Sequence, residues 1–197
     1  MGHFALGYIT GKLAAKIVKC EVNIPLILTL SILPDIDILI PFFEHRGPTH
    51  STVIGALVFL PLFLMWGRKA LPYFIALTQH SLLGDFLVGG EVQLLWPITP
   101  EFYGITWLGI KSVANVAFEW TLFTVFIIVL FKSRDLQVLF KPHSSNLLLT
   151  IPLITVVLPT FLEYPLDVPL LLIPPHLFFI ILFAISVLID LFKVEIT

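Results

Sequence analysis

Charge is what this 197-residue chain has least of: Asp, Glu, Lys and Arg make up 12% of it, about half the share usual in a soluble domain. A chain so poor in charge and 58% hydrophobic has too little polar surface to cover itself in water, which excludes an ordinary soluble globule. No run of basic residues is present and the formal net charge is −2, so nucleic acid is not expected as a partner. A single cysteine, Cys20, excludes an internal disulfide and any Cys-rich zinc knuckle, and leaves His and carboxylates as the only metal ligands. There is no GxSxG elbow, P-loop or dinucleotide fingerprint, so nothing supports a Ser or Cys nucleophile or a nucleotide site. A cleavable signal peptide is not expected either, because Lys12 and Lys16 lie inside the first apolar stretch rather than ahead of it.

What the chain has in abundance is apolar runs, with 18 Phe and 15 Pro among them and a mean hydropathy of +1.02. Their lengths predict an all-α, polytopic transmembrane helical bundle with six spans, at residues 23–43, 50–67, 70–88, 113–131, 146–162 and 168–192. Residues 3–20 carry Lys12, Lys16 and Lys19 at helical intervals and read as an amphipathic interfacial helix, or alternatively as a seventh, tilted span. Residues 89–111, with their glycines, prolines and Trp96 and Trp107, read as a loop or re-entrant element at headgroup level. No repeat or linker divides the chain, so residues 1–197 form one domain: 1–111 bear the polar motifs and 112–197 supply supporting helices. With the N-terminal lysines in the cytoplasm, six alternating spans put nine basic residues inside and only Arg46 and Lys111 outside. The positive-inside rule therefore turns residues 45–50 outward from a cell (inner) membrane.

The polar residues concentrate in 33–51, LPDIDILIPFFEHRGPTHS. Ionisable groups within apolar spans are costly, and mark function by default. Asp35 and Asp37 point about 200° apart on a straight helix, but Pro34 and Pro41 break that helix and allow them to converge. At least one of the two is expected to be a ligand, the other to be free to cap a helix. Gly47 and Pro48 turn the chain between His45 and His50, so that both imidazoles can meet one ion. Arg46, with its planar fork, suits a substrate phosphate or a ligand carboxylate. His80 and Asp85 lie near the outward end of the third span; five residues apart they stand about 140° from each other on a regular helix, unless Gly84 loosens the turn. His3, His143 and His176 read on spacing alone as ordinary histidines, and Glu119 and Asp190 carry no expectation.

The ordered set HFALG at 3–7, LPDID at 33–37, HRGPTHS at 45–51, His80 to Asp85 and LLWP at 94–97 resembles the YdjM-like membrane-bound metal-dependent hydrolases, a family grouped with zinc-dependent phospholipase C and related nucleases. The resemblance covers roughly the first half of the chain. It implies that Asp35, Asp37, His45, His50, His80 and Asp85 bind metal or sit beside it, and it adds His3 to that set. The chain departs from the family pattern in one place. The usual Ser-His with Asp four residues on is here His80-Ser81, with Asp85 five residues after the histidine. The function expected is hydrolysis of a phosphoester, on a membrane lipid or lipid-linked substrate. One to three divalent ions, zinc foremost, would activate a water, with Asp35, Asp37 and Arg46 as catalytic groups. The competing expectation is a transporter or metal-binding membrane protein that uses the same ligands for translocation.

Overall fold

The structure, a computed structural model, describes residues 1–40, 42–88 and 90–193; the break expected at Pro41 lies outside them. Regular structure among the described residues is helical, apart from one bridge between Val92 and Tyr103. Eight α-helices follow one another: α1 Gly2–Val18, α2 Ile24–Leu30, α3 Thr52–Trp66, α4 Leu71–Gln79, α5 Val113–Lys132, α6 Asp135–Leu139, α7 Thr150–Leu162 and α8 Ile173–Phe192. Among the described residues, four helical stretches are long and apolar enough to cross a membrane: Thr52–Asp85, Val113–Lys132, Ser144–Leu162 and Leu170–Phe192. The first runs for 34 residues but doubles back at Gly67, whose φ of 55° suits glycine. Phe59 and Phe63 of α3 then meet Phe74 of α4, each with ring centroids 5.5 Å apart.

Two segments differ from the lengths read in the sequence. The stretch 23–43 is not one helix. Asn23 caps α2 by accepting from Leu26 N at 2.9 Å, and seven residues later the chain tightens into a 3-10 helix, Leu33–Leu39, with Pro34 in its first turn. Seven residues rise only about 10 Å, a third of a bilayer core. The second difference is α1, which is not laid on the surface. Phe4, Ala5 and Tyr8 are buried, and the helix packs chiefly against α4 and α5. Its glycines permit this. A Cβ on Gly7 would run into Ser31, and one on Gly11 would stand 2.9 Å from Ile27. Lys12 is neutralised inside the bundle by Asp135 at 2.6 Å, which also accepts from Tyr8 Oη at 2.6 Å.

The bundle therefore has two unlike ends. α1 starts beside the polar motifs and runs to the far end, where Lys16, Lys19, Arg68, Lys69, Lys132, Arg134, Lys141 and Lys193 follow the helix ends and turns. Arg46 and Lys111 are the only Lys or Arg at the motif end. Residues 90–104 fold over that end: Thr52 N donates to Leu94 O at 3.0 Å and Gln93 N to Arg46 O at 3.0 Å. Ser51 caps α3 and also donates to Trp96 O.

Candidate metal centre

Four separate segments deliver the polar residues to one place. The 3-10 geometry of 33–39 turns Asp35 and Asp37 towards the same neighbour, His50, one on each of its ring nitrogens. Asp35 Oδ1 stands 3.3 Å from His50 Nε2, and Asp37 Oδ2 stands 3.3 Å from His50 Nδ1. A straight α-helix would have kept the two carboxylates apart.

The register of His80 and Asp85 is resolved by a different device. After Gln79 the helix widens into one π turn, His80–Asp85, in which hydrogen bonds run to the fifth residue, as from Phe86 N to Ser81 O at 3.0 Å. Residues five apart then return to one face, and such turns recur at functional sites. His80 Nε2 thus lies 3.3 Å from Asp85 Oδ2. The extra residue between them is absorbed by the π turn.

His3 arrives from the first turn of α1. Its ring stacks on that of His80, with centroids 3.8 Å apart and 18° between planes, and its Nε2 is 3.8 Å from Asp85 Oδ1. Gly84 makes room for it, since a Cβ there would run into His3 Cε1. Gly2 N donates to Glu119 Oε2 at 2.7 Å, so a carboxylate from the middle of an apolar helix holds the turn that carries His3. Glu119 carried no expectation from its spacing, because its role is to bond a main-chain N–H.

All seven histidines and aspartates expected at the site come together with Arg46. They fall into three overlapping sets in which one ligand atom per residue lies within 4.8 Å of the others: His3, His80 and Asp85; Asp35, His50 and His80; Asp37, His45 and His50. Those sets could hold a metal ion. The second has the sharpest geometry. Asp35 Oδ1 stands 3.3 Å from His50 Nε2 and 3.2 Å from His80 Nε2; Asp85 Oδ2, 3.3 Å from each of the two nitrogens, is not a member of that set. Ligand atoms about 2.0 Å from one tetrahedral ion lie about 3.3 Å apart, the separation of both nitrogens from Asp35 Oδ1. His80 Nδ1–H is spent on Ser31 O at 2.9 Å, which leaves only Nε2 to face an ion. His80 Nε2 and Asp85 Oδ2 are also buried without a hydrogen bond that satisfies them, a costly arrangement unless a cation is meant to sit there.

Asp37 is occupied differently. Its oxygens accept from Arg46 N at 3.1 Å and Thr49 Oγ1 at 3.0 Å, and His45 Nδ1 is 3.1 Å away. Burial alone would push its carboxyl up, but hydrogen bonds to His45 and His50 hold it at about 2. Burial likewise pushes His50 down, and its bonds to Asp35 and Asp37 reverse that, leaving it raised. Arg46 sits in the left-handed region at φ 66°, uncommon for a long side chain, with its guanidinium 3.2 Å from Asp85 Oδ1. Three contacts hold it there: to Asp37, to Asp85 and to Gln93.

His143 and His176 stay away from the cluster. His143 accepts from Ser145 N at 3.1 Å, and His176 Nδ1 donates to Leu172 O at 2.7 Å.

A helical bundle of apolar spans with a buried His/Asp cluster at one end defines an integral membrane protein that could hold a metal ion. More particularly, the chain belongs to the YdjM inner membrane protein family, whose model matches residues 1–161. No curated protein and no solved structure matches it.

Proposed function

We propose that this protein is a metal-dependent phosphoester hydrolase. One zinc ion would be held by Asp35, His50 and His80, which leaves the fourth position to water, with Asp85 beside the two histidines. The observation that carries this reading is the set Asp35, His50 and His80, whose ligand atoms lie within 4.8 Å of one another with both nitrogens 3.2–3.3 Å from Asp35 Oδ1, a mix of imidazole and carboxylate that zinc accepts. Zinc bound there supplies a water of lowered pKa and a Lewis acid for the phosphoryl oxygen.

The chain's own groups do the rest. Asp37 acts on the centre through His50: it holds Nδ1 so that Nε2 points inward, the usual carboxylate–histidine arrangement. Ser31 O does the same for His80. Asp35, which borders the adjoining cavity, takes the proton of the attacking water. His45 keeps Nδ1 on Asp37, and its ring borders the same cavity, so its Nε2 is placed to return a proton to the leaving oxygen. Arg46, next to Asp85 and on the cavity wall, pairs with the phosphate. His3 packs His80 in place and remains a ligand for a further ion on Asp85 Oδ1. The basic end of the bundle faces the cytoplasm, so the site faces outward.

Metal analysis of the purified protein tests this, together with hydrolysis of bis(p-nitrophenyl) phosphate by the wild type, His50→Ala and Asp37→Ala. About one zinc per chain, lost with activity in His50→Ala and restored to the chelated wild type by added zinc, is expected. A wild type that binds no zinc, and variants that fold and behave like it, would overturn the reading.

A further inference from the structure

A cavity of about 140 Å³ adjoins the cluster, and Asp35, His45, Arg46 and Asp85 form one part of its lining. That volume has room for about ten waters, yet most of the remaining wall is apolar: Ile32, Leu83, Phe118, Val156, Val168 and Leu172. The polar residues elsewhere in the wall turn their hydrogen-bonding groups onto main chain. Asn115 Nδ2 donates to Ile110 O at 2.8 Å, Thr155 Oγ1 to Pro152 O at 3.1 Å and His176 Nδ1 to Leu172 O at 2.7 Å. Glu119 accepts from Gly2 N at 2.7 Å. Away from the cluster the wall is thus apolar over most of its area.

Two of the apolar lining residues, Leu83 and Phe118, are also 44% and 49% exposed. Both belong to stretches long and apolar enough to span a membrane, so the cavity reaches the lipid-facing side of the bundle. Lys111 pairs with Asp167 at 2.5 Å and so joins the two segments that bring Ile110 and Leu166 to the wall.

We propose that this cavity is the slot for a hydrocarbon chain of the substrate, which enters sideways from the bilayer past Leu83 and Phe118 while its phosphoester meets the His/Asp cluster. The proposal rests on the phosphoester reading above and narrows the substrate to a membrane amphiphile. It also divides the labour along the chain. Val168, Leu172 and His176 lie beyond the residues matched by the family model, so chain selection is set partly by a segment outside the family-defining part.

Two probes that share one scissile bond test it: hexadecyl p-nitrophenyl phosphate in mixed micelles and ethyl p-nitrophenyl phosphate in the same micelles, with the full-length zinc-loaded protein. The wild type should favour the hexadecyl ester at least 100-fold in kcat/KM. Val156→Trp and Leu172→Trp, which fill the slot from different helices, should each cut that ratio at least tenfold. A second measurement needs no turnover: a hexadecyl phosphate with a diazirine in its chain, photolysed in bicelles, should label peptides containing Val156 or Leu172 in the wild type and fail to label them in Val156→Trp. A wild-type ratio near one, or a ratio unmoved in both variants that still cleave the ethyl ester, overturns the slot. Labelling without hydrolysis of either ester keeps the slot and overturns the phosphoester reading. Hydrolysis with neither preference nor labelling does the reverse.

Discussion

Asp37 shows at the level of one side chain how the site is made rigid. His45, the Arg46 amide, Thr49 and His50 all converge on its two oxygens, which fixes the turn 45–50 and the tautomer of His50 together. Losing such a partner typically weakens metal affinity 10–100-fold. Asp37→Asn is therefore expected to keep its zinc but to release it to a chelator at 10–100-fold lower concentration than the wild type, whereas His80→Ala should bind none; competition with a fluorescent chelator measures both. The same side chain has a pH consequence in the metal-free protein. Its carboxyl is held at about 2 against an ordinary 3.8. A depressed carboxyl contributes stability above its unfolded value and loses it as pH falls through the folded one. Metal-free wild type should therefore lose about 2 kcal/mol between pH 5 and 2 from this group. Thermal unfolding in detergent should show Asp37→Asn losing that much less, and parallel loss in the two proteins would disprove the assignment.

At the scale of the element, the π turn His80–Asp85 decides the register. An α-helix brings residues four apart to one face, about 40° from each other, and residues five apart to about 140°. The π turn restores the shared face for a five-residue spacing. Removing Leu82, whose side chain is 44% exposed, should let the segment revert to α geometry with the histidine and aspartate four apart. Zinc affinity is expected to stay within about tenfold of the wild type. Inserting one alanine after Leu82 should abolish binding, since neither turn then realigns the pair. Isothermal titration with zinc separates the outcomes; equal loss in both variants would mean that the π turn serves packing alone. Legibility differed between elements for related reasons. The long apolar helices over 113–132, 144–162 and 170–192 follow from hydropathy because no packing detail is needed to place them. So did the polar set at 33–51, because charge in an apolar chain stands out whatever its local geometry. The 3-10 course of 33–39 and the π turn were not legible: both depend on which neighbours the backbone must reach, and neither has a composition of its own. Ser31 as a partner of His80 left no trace at all, since a main-chain carbonyl has no residue type. Between the two readings of residues 3–20, interfacial helix or seventh span, the lysines do not decide; Gly7 and Gly11, which let α1 pack inside, favour the internal one.

For the molecule as a whole, burying α1 makes the polarity of the bundle consistent from end to end. Placed at the surface, the first helix would have left His3 on the side of its own lysines, remote from the cluster. As an internal helix it begins at the cluster and ends among basic residues, and each later long helix alternates in step with it. Eight of eleven Lys and Arg then gather beyond one end of the bundle, and Lys12 lies inside it on Asp135. On the orientation proposed above, with the basic end in the cytoplasm, the cluster, the loop with Trp107 and the cavity mouth lie on the outer side. Single cysteines in a Cys20→Ser background read the orientation directly. In intact spheroplasts a membrane-impermeant maleimide should label Glu101→Cys, on the exposed loop over the site, and should reach Lys69→Cys, in the turn between α3 and α4, only after the membrane is opened. The opposite pattern would turn the site towards the cytoplasm. A phosphoester substrate would then have to be one presented by the inner leaflet, while the ligand geometry and the chain slot would stand unchanged.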